Sequence, residues 1–360
     1  EDILVLVAAM RLGHPVKWIE DRYEHLMTAN HSRQQRHKIR AAIDADGRIL
    51  GIEDEFFHDQ GAYVRSHDTR VVKMTCGVLV GPYNVPAFSA LGHFRLTNKT
   101  PAATYRAPGR FEGSFVRERL MDAIAQRLGL DPAELRRRNL IGPEEMPYER
   151  GLSALESEVI LDSGLYDDLL TRALEFSGYA QMQAACARRR ETGEAVGCGF
   201  AMFVEKSGLG PSELVEISVD AAGWVEVLTG AASVGQGMET AVAQIVAETL
   251  GCDYRRVRVL HGDTARIPFG FGAHASRVTV MTGEAARRAA LAVRDKALDF
   301  AAALLGEPLE TLDLIEGQAT APSGASIPLG TLAAKLGPAS PERGDREPGL
   351  SASAWFHSKH

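Results

Sequence analysis

The chain of 360 residues is 45% hydrophobic and carries a formal net charge of -7, which allows one large or two ordinary domains with a sizeable core. Acidic and basic residues are interspersed, so no basic face is bunched enough to displace counterions, and nucleic acid is disfavoured as a partner. The four cysteines, Cys76, Cys186, Cys198 and Cys252, lie far apart without a Cys-x-x-Cys pair; neither a disulfide framework nor a zinc ribbon is indicated, and a reduced, cytoplasmic compartment fits best. Among the eleven histidines no His-Glu-x-x-His occurs, and His31 and His37 project to one face without a third ligand, so a protein-ligated metal is not supported. No apolar run is long enough to span a bilayer, and no signal sequence opens the chain. It starts at Glu1 within a helical pattern and without Met, which reads as a segment of something longer.

Glu1 to Leu12 places Ile3, Leu4, Val7, Ala8 and Met10 at helical spacing, stopped by Gly13 and Pro15, and Val16 to Glu20 follows as a strand. Gln34 to Ile43 and Ile49 to Phe57 flank the turn sequence Asp44-Ala45-Asp46-Gly47 and read as a β-hairpin. Glu216 to Val219 and Trp224 to Leu228 repeat it around Asp220-Ala221-Ala222-Gly223, which hints at two related halves. Cys76 to Phe88 reads as irregular, and Gly92 to Asn98 resumes as a strand. The loop Thr100 to Arg110 leads into a helix over Phe111 to Leu128, with Phe115, Leu120, Ile124, Ala125 and Leu128 on one side. Arg106 in that loop is a planar, permanently charged fork among small neighbours, the residue type that clamps phosphate or an oxo anion; its alternative use is a salt bridge to Glu112. Asp131-Pro132 supplies an N-cap and an N1 proline for a short helix ending near Asn139. The triplets Arg136 to Arg138 and Arg188 to Arg190 fall near helix ends, as solvated complements of the helix dipole.

Gly142 to Gly151, rich in Pro and Glu, marks the domain boundary: a first domain over 1–145, a linker over 146–164 and a second domain over 165–360. Leu165 to Glu191 is helical with a break at Ser177-Gly178, and Ala195 to Glu205 reads as an apolar strand buried on both faces. The strand Trp224 to Leu228 then runs into the small-residue loop Gly230 to Gly237. That loop opens a helix with Ala241, Val242, Ile245, Val246 and Leu250 at helical spacing. Gly235 and Gly237 permit positive φ and close ligand approach, the helix start supplies unpaired N–H donors and a positive dipole end, and Gln236 adds an amide that donates and accepts. Taken alone, a Gly-x-Gly turn of this kind is more often a tight turn that binds nothing. A third backbone-rich loop, Gly262 to Arg277, follows the strand Val257 to His261 and enters a long helix reaching about Leu305. Its Gly270 to Ala275 satisfies G-x-G-x-x-A. Several residues including Pro268 separate it from the strand, however, and the nearest later acid, Asp295, lies inside a helix, so a dinucleotide fingerprint is rejected. The tail from Gly337 reads as mobile, with a new strand beginning at Trp355-Phe356.

Taken together, TYRAPGR followed by FVRERLMDAIA, then VGQGMETAVAQIVAETLG, then GDTARIPFGFGAHASR resemble the molybdenum-binding large subunit of the xanthine dehydrogenase and aldehyde oxidase family. Three matches in order and spacing are far more specific than any one, and the resemblance covers nearly the whole chain. It implies an α+β fold of two molybdopterin-binding-type α/β domains with mixed sheets, partial relative to the full family fold. The resemblance also implies a molybdenum-molybdopterin cofactor, in bacterial members usually the cytosine dinucleotide form. Carried over residue by residue, Arg106 matches the arginine beside the molybdenum. Gly235, Gln236, Gly237, Met238 and Thr240 match the cofactor loop of the second domain, and Gly272, Ala275, Ser276 and Arg277 match the third loop. Arg106 and Gln236, on loops that both open helices, are expected to converge on one ligand from separate domains, with Ser276 on the far wall.

The family's glycine-rich loop expected before Glu1 and its C-terminal base glutamate have no counterpart here. Gly306-Glu307-Pro308 falls at the wrong place in the order, so Glu307 is not assigned as the base, and the chain is expected to be a fragment or a split subunit. Ala107 stands where the family's carbon monoxide dehydrogenases have a cysteine bridging to copper, and Pro108 where purine-oxidising members have a stacking phenylalanine; neither a Mo–Cu site nor xanthine is favoured. The implied function is oxidation of an aldehyde or N-heterocycle with water as oxygen source, with a small-molecule substrate, the remainder of the large subunit, and iron–sulfur and FAD subunits or domains as partners. The alternative is a non-catalytic cofactor-binding or assembly module that has lost the base. A flavin or nicotinamide dehydrogenase rests only on the rejected fingerprint.

Overall fold

Two aspartates shape the turns of the two main sheets. A computed structural model describes residues 2–65, 69–154 and 157–358, and the chain divides into two compact units, Glu1–Glu205 and Lys206–His360. In the first, the carboxylate of Asp44 accepts from the amides of Asp46 (3.0 Å) and Arg48 (2.8 Å); in the second, that of Asp220 accepts from Ala222 and Trp224, both at 2.9 Å. The same side-chain turn therefore closes both hairpins.

The first unit opens with α1 (Asp2–Leu12) and α2 (Arg22–Thr28), before the antiparallel pair β1 (Gln35–Ile43) and β2 (Ile49–Gly61). Val16 to Glu20, predicted as a strand, is irregular, and the helix after it starts at a capping box: Asp21 accepts from the Glu24 amide while Glu24 accepts from the Asp21 amide. α3 (Arg70–Val78) occupies part of the stretch predicted as irregular and carries the chain to β3 (Ala87–Leu96), which runs parallel to β2. α4 (Arg110–Leu128) and α5 (Pro132–Asn139, capped by Asp131 as predicted) follow. Ile49, Ile52, Leu79, Met121, Ile124, Ala125 and Leu135 form the core between them. Phe115, placed on the apolar side of α4 by its spacing, is 65% exposed. Residues 146–164 contain a hairpin, β4 (Tyr148–Ala154) with β5 (Ser157–Leu161), and α6 (Tyr166–Ser177) and α7 (Tyr179–Glu191) break at Gly178 as the sequence indicates.

The inward face of α4 departs most from the sequence reading. Arg136, predicted to be solvated, is fully buried. Its Nε donates to Glu118 Oε2 (2.8 Å) and its Nη2 to Asp122 Oδ1 (3.0 Å). Glu118 also accepts from Arg117 Nε (2.9 Å), the Tyr83 hydroxyl (3.0 Å) and the Met202 amide (3.1 Å). Burial and the charge of Glu118 push the Tyr83 phenol far up, so it stays a donor. Residues 195–205, predicted as a buried strand, form instead an irregular strap with no ladder. Arg117 Nη2 holds the Met202 carbonyl (2.5 Å), and Phe200 lies against the guanidinium of Arg136 (4.6 Å) and the ring of Tyr179 (5.1 Å). Replacing Glu118 with Ala leaves the Arg117 guanidinium buried without a carboxylate and Arg136 with Asp122 alone, and we expect a loss of about 3–5 kcal/mol in unfolding free energy, measured by denaturant titration.

In the second unit β6 (Ser212–Val219), β7 (Val225–Thr229), α8 (Met238–Leu250), β8 (Val257–Leu260) and α9 (Gly283–Leu305) come first. A small sheet of β9 (Asp313–Ile315), β10 (Gln318–Thr320) and β11 (Ser326–Pro328) follows, then α10 (Leu329–Lys335) and β12 (Leu350–His357). The main sheet has the order β12-β6-β7-β8, with only the β7–β8 pair parallel. Val215, Ile217, Val219, Val225 and Val227 alternate toward one face and meet Val242, Val246 and Leu250 of α8 and a row of alanines on α9, whose small side chains admit close packing. The tail from Gly337, predicted to be mobile, is tied down by the Gly349 amide on the Leu336 carbonyl (2.8 Å) and by Lys335–Glu342 (2.8 Å) and Arg346–Asp299 (3.2 Å) ion pairs. It ends in β12, paired along its length with β6. No helix among the described residues is long and apolar enough to cross a membrane.

Candidate functional site

The loop between β3 and α4 carries Arg106, which is exposed, with no hydrogen-bond or ion-pair partner for its side chain among the described residues. Glu112, the carboxylate that could have taken it, is 3% exposed and pairs instead with Arg33 (Nη1 to Oε2, 3.3 Å). The Arg33 guanidinium also donates to the carbonyls of Arg106 and Ala107 (3.4 Å to the latter). It lies over the rings of Phe111 (4.4 Å) and Tyr105 (5.3 Å). Ala107 is left-handed (φ 52°), at a cost of about 1–2 kcal/mol for a residue with a Cβ. At the helix start, a Cβ on Gly109 would overlap the Thr75 amide and Met74, so glycine is required there. Arg110 beside it is buried and paired with Glu205 (2.5 Å).

In the second unit the loop Gly230 to Gly237 turns into α8 through Gly235 (φ 86°) and Gly237 (φ 80°); a Cβ at either would meet no atom within 4 Å. Gly237 is the N-cap and brings no capping side chain, which leaves amide donors of the first turn facing open space. The Gln236 side chain folds back on its own loop: Nε2 donates to the Ala232 carbonyl (2.9 Å) and Oε1 accepts from the Val234 amide (2.6 Å). Met238 is buried in the core, whereas Thr240 is exposed. Glu239 ties the loop down, accepting from the Ser233 hydroxyl (3.1 Å) and bonding His261 Nε2 at the end of β8 (3.0 Å). Its own backbone amide, then Ser233 and His261, hold its carboxyl below the usual range.

The third loop, Gly262 to Arg277, is locked to the second by backbone contact. A Cβ on Gly230 would overlap the Phe269 carbonyl and Gly270, a Cβ on Gly270 would overlap Gly230, and the Gly272 amide donates to the Gly230 carbonyl (3.2 Å). Gly272 (φ 69°), Ala275 (φ 48°) and Ser276 (φ 53°) are all left-handed, and Ser276 is exposed. Arg277 is fully buried. It pairs with the equally buried Glu213 (2.5 Å) and donates to the carbonyls of Ser212 (2.7 Å) and Leu209 (3.1 Å), so its side chain shapes the loop from inside. A π-helical turn, Val278–Thr282, follows at once, a feature frequent at functional sites.

The structure thus brings Gly235, Gln236, Gly237, Gly272, Ala275 and Ser276 onto two joined loops of the second unit and leaves Arg106 on a loop of the first. Of the five non-glycine residues with positive φ among the described residues, Arg33, Ala107, Ala275 and Ser276 belong to these loops or hold one of them. Such strain persists where surroundings over-determine it, and it clusters at ligand sites. The sequence reading passed over Arg33, Glu213, Glu239 and His261; only Glu239, an acid in a first helical turn, carried a local signal. In the second unit, open glycines and helix-start amides suit a ligand with phosphates and hydrogen-bonding amides; in the first, the Arg106 guanidinium, unpaired among the described residues, suits an oxo or other anionic group. Gly230→Ala is expected to force the two joined loops apart and lower stability by about 1–3 kcal/mol, read as a fall in Tm.

Comparison with known proteins agrees. Residues 1–140 and 172–360 each match a family described as molybdopterin cofactor-binding domain. The gamma subunit of the 6-hydroxypseudooxynicotine dehydrogenase complex of Paenarthrobacter nicotinovorans is 42% identical over 357 residues, 99% of this chain and 45% of that one. The carbon monoxide dehydrogenase large chain of Afipia carboxidovorans is 34% identical over 325 residues, 84% of this chain and 39% of that one. Quinoline 2-oxidoreductase from Pseudomonas putida 86 superposes with a TM-score of 0.87 at 32% identity, over 99% of this chain and 47% of that one. The chain spans less than half the length of each of these relatives. On its sequence, its fold and its loops, the chain belongs to the molybdopterin-binding large subunits of the xanthine dehydrogenase and aldehyde oxidase family, as a partial-length member.

Proposed function

We propose that the chain is part of a molybdenum hydroxylase that holds its molybdopterin as the cytosine dinucleotide and oxidises an N-heterocycle or an aldehyde with water as oxygen source. The observation that carries this is the open, left-handed Gly235-Gln236-Gly237 start of α8, with its uncapped amides and with space where side chains would stand. When bound, the cofactor supplies the two-electron oxidation, and the protein supplies binding, orientation and electrostatics. Gly235 and Gly237 leave room for it, the amides of Met238 and Thr240 and the helix dipole meet its anionic groups, and Gln236 stiffens the turn. Gly272, Ala275 and Ser276 offer backbone and hydroxyl donors, while Arg277 sets the shape of their loop. Arg106 serves as the charged donor to an oxo or substrate oxygen. The heterocycle is favoured because two of the relatives are named for quinoline and for 6-hydroxypseudooxynicotine, both nitrogen heteroaromatics. Ala107, in place of the copper-bridging cysteine of the carbon monoxide dehydrogenases the chain resembles, argues against carrying their substrate over.

In this reading electrons leave through iron–sulfur and FAD partners in a cytoplasmic complex completed by the remainder of the large subunit. Molybdenum analysis and pterin fluorescence on the complex purified with those partners should show both in stoichiometric amount; absence of both sinks the reading. Within that complex, Arg106→Ala should keep its Tm while kcat/KM falls by about 10- to 100-fold, as for a lost charge-assisted contact of ~1.5–3 kcal/mol. Gly237→Val should instead lose the cofactor, because a branched side chain fills the open space and the left-handed φ disfavours it.

A further inference from the structure

We propose that Arg33 is a positioning residue for Arg106: held by Glu112 and by the rings of Tyr105 and Phe111, its guanidinium grips two successive loop carbonyls and so fixes the direction in which the Arg106 side chain leaves the chain. The inference rests on the reading of Arg106 as the ligand arginine. It begins from a break in the ladder. His31 makes a lone parallel bridge with Ala102, its amide donating to the Pro101 carbonyl (3.0 Å) and its carbonyl accepting from the Ala103 amide (2.9 Å). That pairing ends there; beyond it the Ala107 carbonyl accepts from the Phe111 amide as α4 begins (3.0 Å), while the Arg106 carbonyl has no backbone donor among the described residues. Arg33, two residues past the bridge, supplies the donor that the Arg106 carbonyl lacks and, with the other arm of its fork, adds a second, longer contact to the Ala107 carbonyl (3.4 Å).

The two consecutive carbonyls face one cation across Ala107, which stands between them in a left-handed conformation (φ 52°); extended backbone there would point them to opposite sides. Arg33 is itself left-handed (φ 80°), so strain sits on both sides of the contact and is held by it. Without the fork, Ala107 relaxes to an ordinary region of backbone space, the peptide between it and Arg106 rotates, and the Arg106 side chain is redirected. Glu112 fixes the charge that must stand at position 33. It is buried, its Oε2 takes Arg33 and its Oε1 has no hydrogen-bond partner. A lysine there supplies one compact ammonium that cannot fork to two carbonyls while stacking on two rings.

The test is a double-mutant cycle in the holoenzyme with Arg33→Ala, Arg33→Lys and Arg106→Ala. Arg33→Ala should lower kcat by about 10-fold, and by no more than Arg106→Ala does, because it displaces a positioned group without removing it, with KM and molybdenum content near wild type. The double variant Arg33→Ala/Arg106→Ala should be no slower than Arg106→Ala alone, and Arg33→Lys should not rescue. The Mo(V) resonance signal of Arg33→Ala should shift toward that of Arg106→Ala. A crystal structure of Arg33→Ala, or of Arg33→Lys should the alanine variant fail to fold, should show Ala107 out of the left-handed region. Additive losses, or an unmoved Ala107 and Arg106 in that structure, overturn the inference. A complex without molybdenum or pterin overturns the proposed function instead, and the crystal structure still decides whether Arg33 holds Ala107.

Discussion

An irregular segment gives up the ladder that would pair its carbonyls, and in this chain arginine side chains replace part of it. Arg33 serves the carbonyls of Arg106 and Ala107, Arg117 those of Leu79 and Met202, and Arg277 those of Leu209 and Ser212. Each cation is balanced by a buried glutamate: Glu112, Glu118 and Glu213 respectively. Five donors in a rigid plane reach two or three carbonyls and a carboxylate at once, which no other side chain achieves. Against well-packed apolar residues, a buried ion pair adds little or nothing to stability, because desolvation offsets the attraction. What these pairs give is one loop conformation. An apolar cluster of equal volume would leave the carbonyls unpaired and the loops free to rearrange.

Glycine is used in two opposite ways around the same loops. At Gly230 and Gly270 the absence of a Cβ lets two backbones touch, so the residues are excluded from having side chains by protein atoms. At Gly235 and Gly237 no protein atom lies within 4 Å of an added Cβ, so packing does not explain glycine. Their left-handed φ explains it in part, and the space left above the helix start is what a bound group would occupy. The first pair fixes how the loops meet; the second keeps their surface bare. The second use was legible in the sequence, where Gly235 and Gly237 open a helix; the first was not, because the contact between Gly230 and Gly270 joins residues 40 positions apart.

What the sequence disclosed follows the range of the interactions involved. The two hairpins, the break at Gly178, the Asp131 cap and the helix after Gly237 depend on residues within a few positions of each other, and the structure has them all. The failures are long-range. Arg136 reads as a solvated helix-end cation because nothing local shows that Glu118 lies 18 positions away on a facing helix. The strap over 195–205 is apolar enough for a buried strand, yet no neighbouring strand is there to pair with it, and side chains hold it instead. Arg106 was legible as a fork among small residues; Arg33, which takes the carboxylate that could have neutralised it, lies 73 positions earlier in a stretch without pattern.

The two units carry the same order, β1-β2-α3-β3-α4 and β6-β7-α8-β8-α9, and in both the second strand is antiparallel to the first and parallel to the third. The Arg106 loop between β3 and α4 and the Ser276 loop between β8 and α9 therefore occupy the same place in the repeat. Each holds a left-handed alanine, Ala107 and Ala275, three residues before its helical segment begins, at Arg110 and at Val278. Both loops leave the carboxyl end of a strand that runs parallel to its neighbour, the end at which open α/β sheets bind ligands. In the first unit the strained turn leaves the Arg106 side chain exposed and without a partner among the described residues. In the second, His274 stands at the place of Arg106; Arg277, two residues past the left-handed alanine, is drawn inside, and the turn presents backbone and the Ser276 hydroxyl. One loop geometry thus presents an exposed arginine in one unit and an exposed hydroxyl in the other, and the difference lies in the residues that flank the left-handed alanine: Arg106 and Pro108 around Ala107, His274 and Ser276 around Ala275.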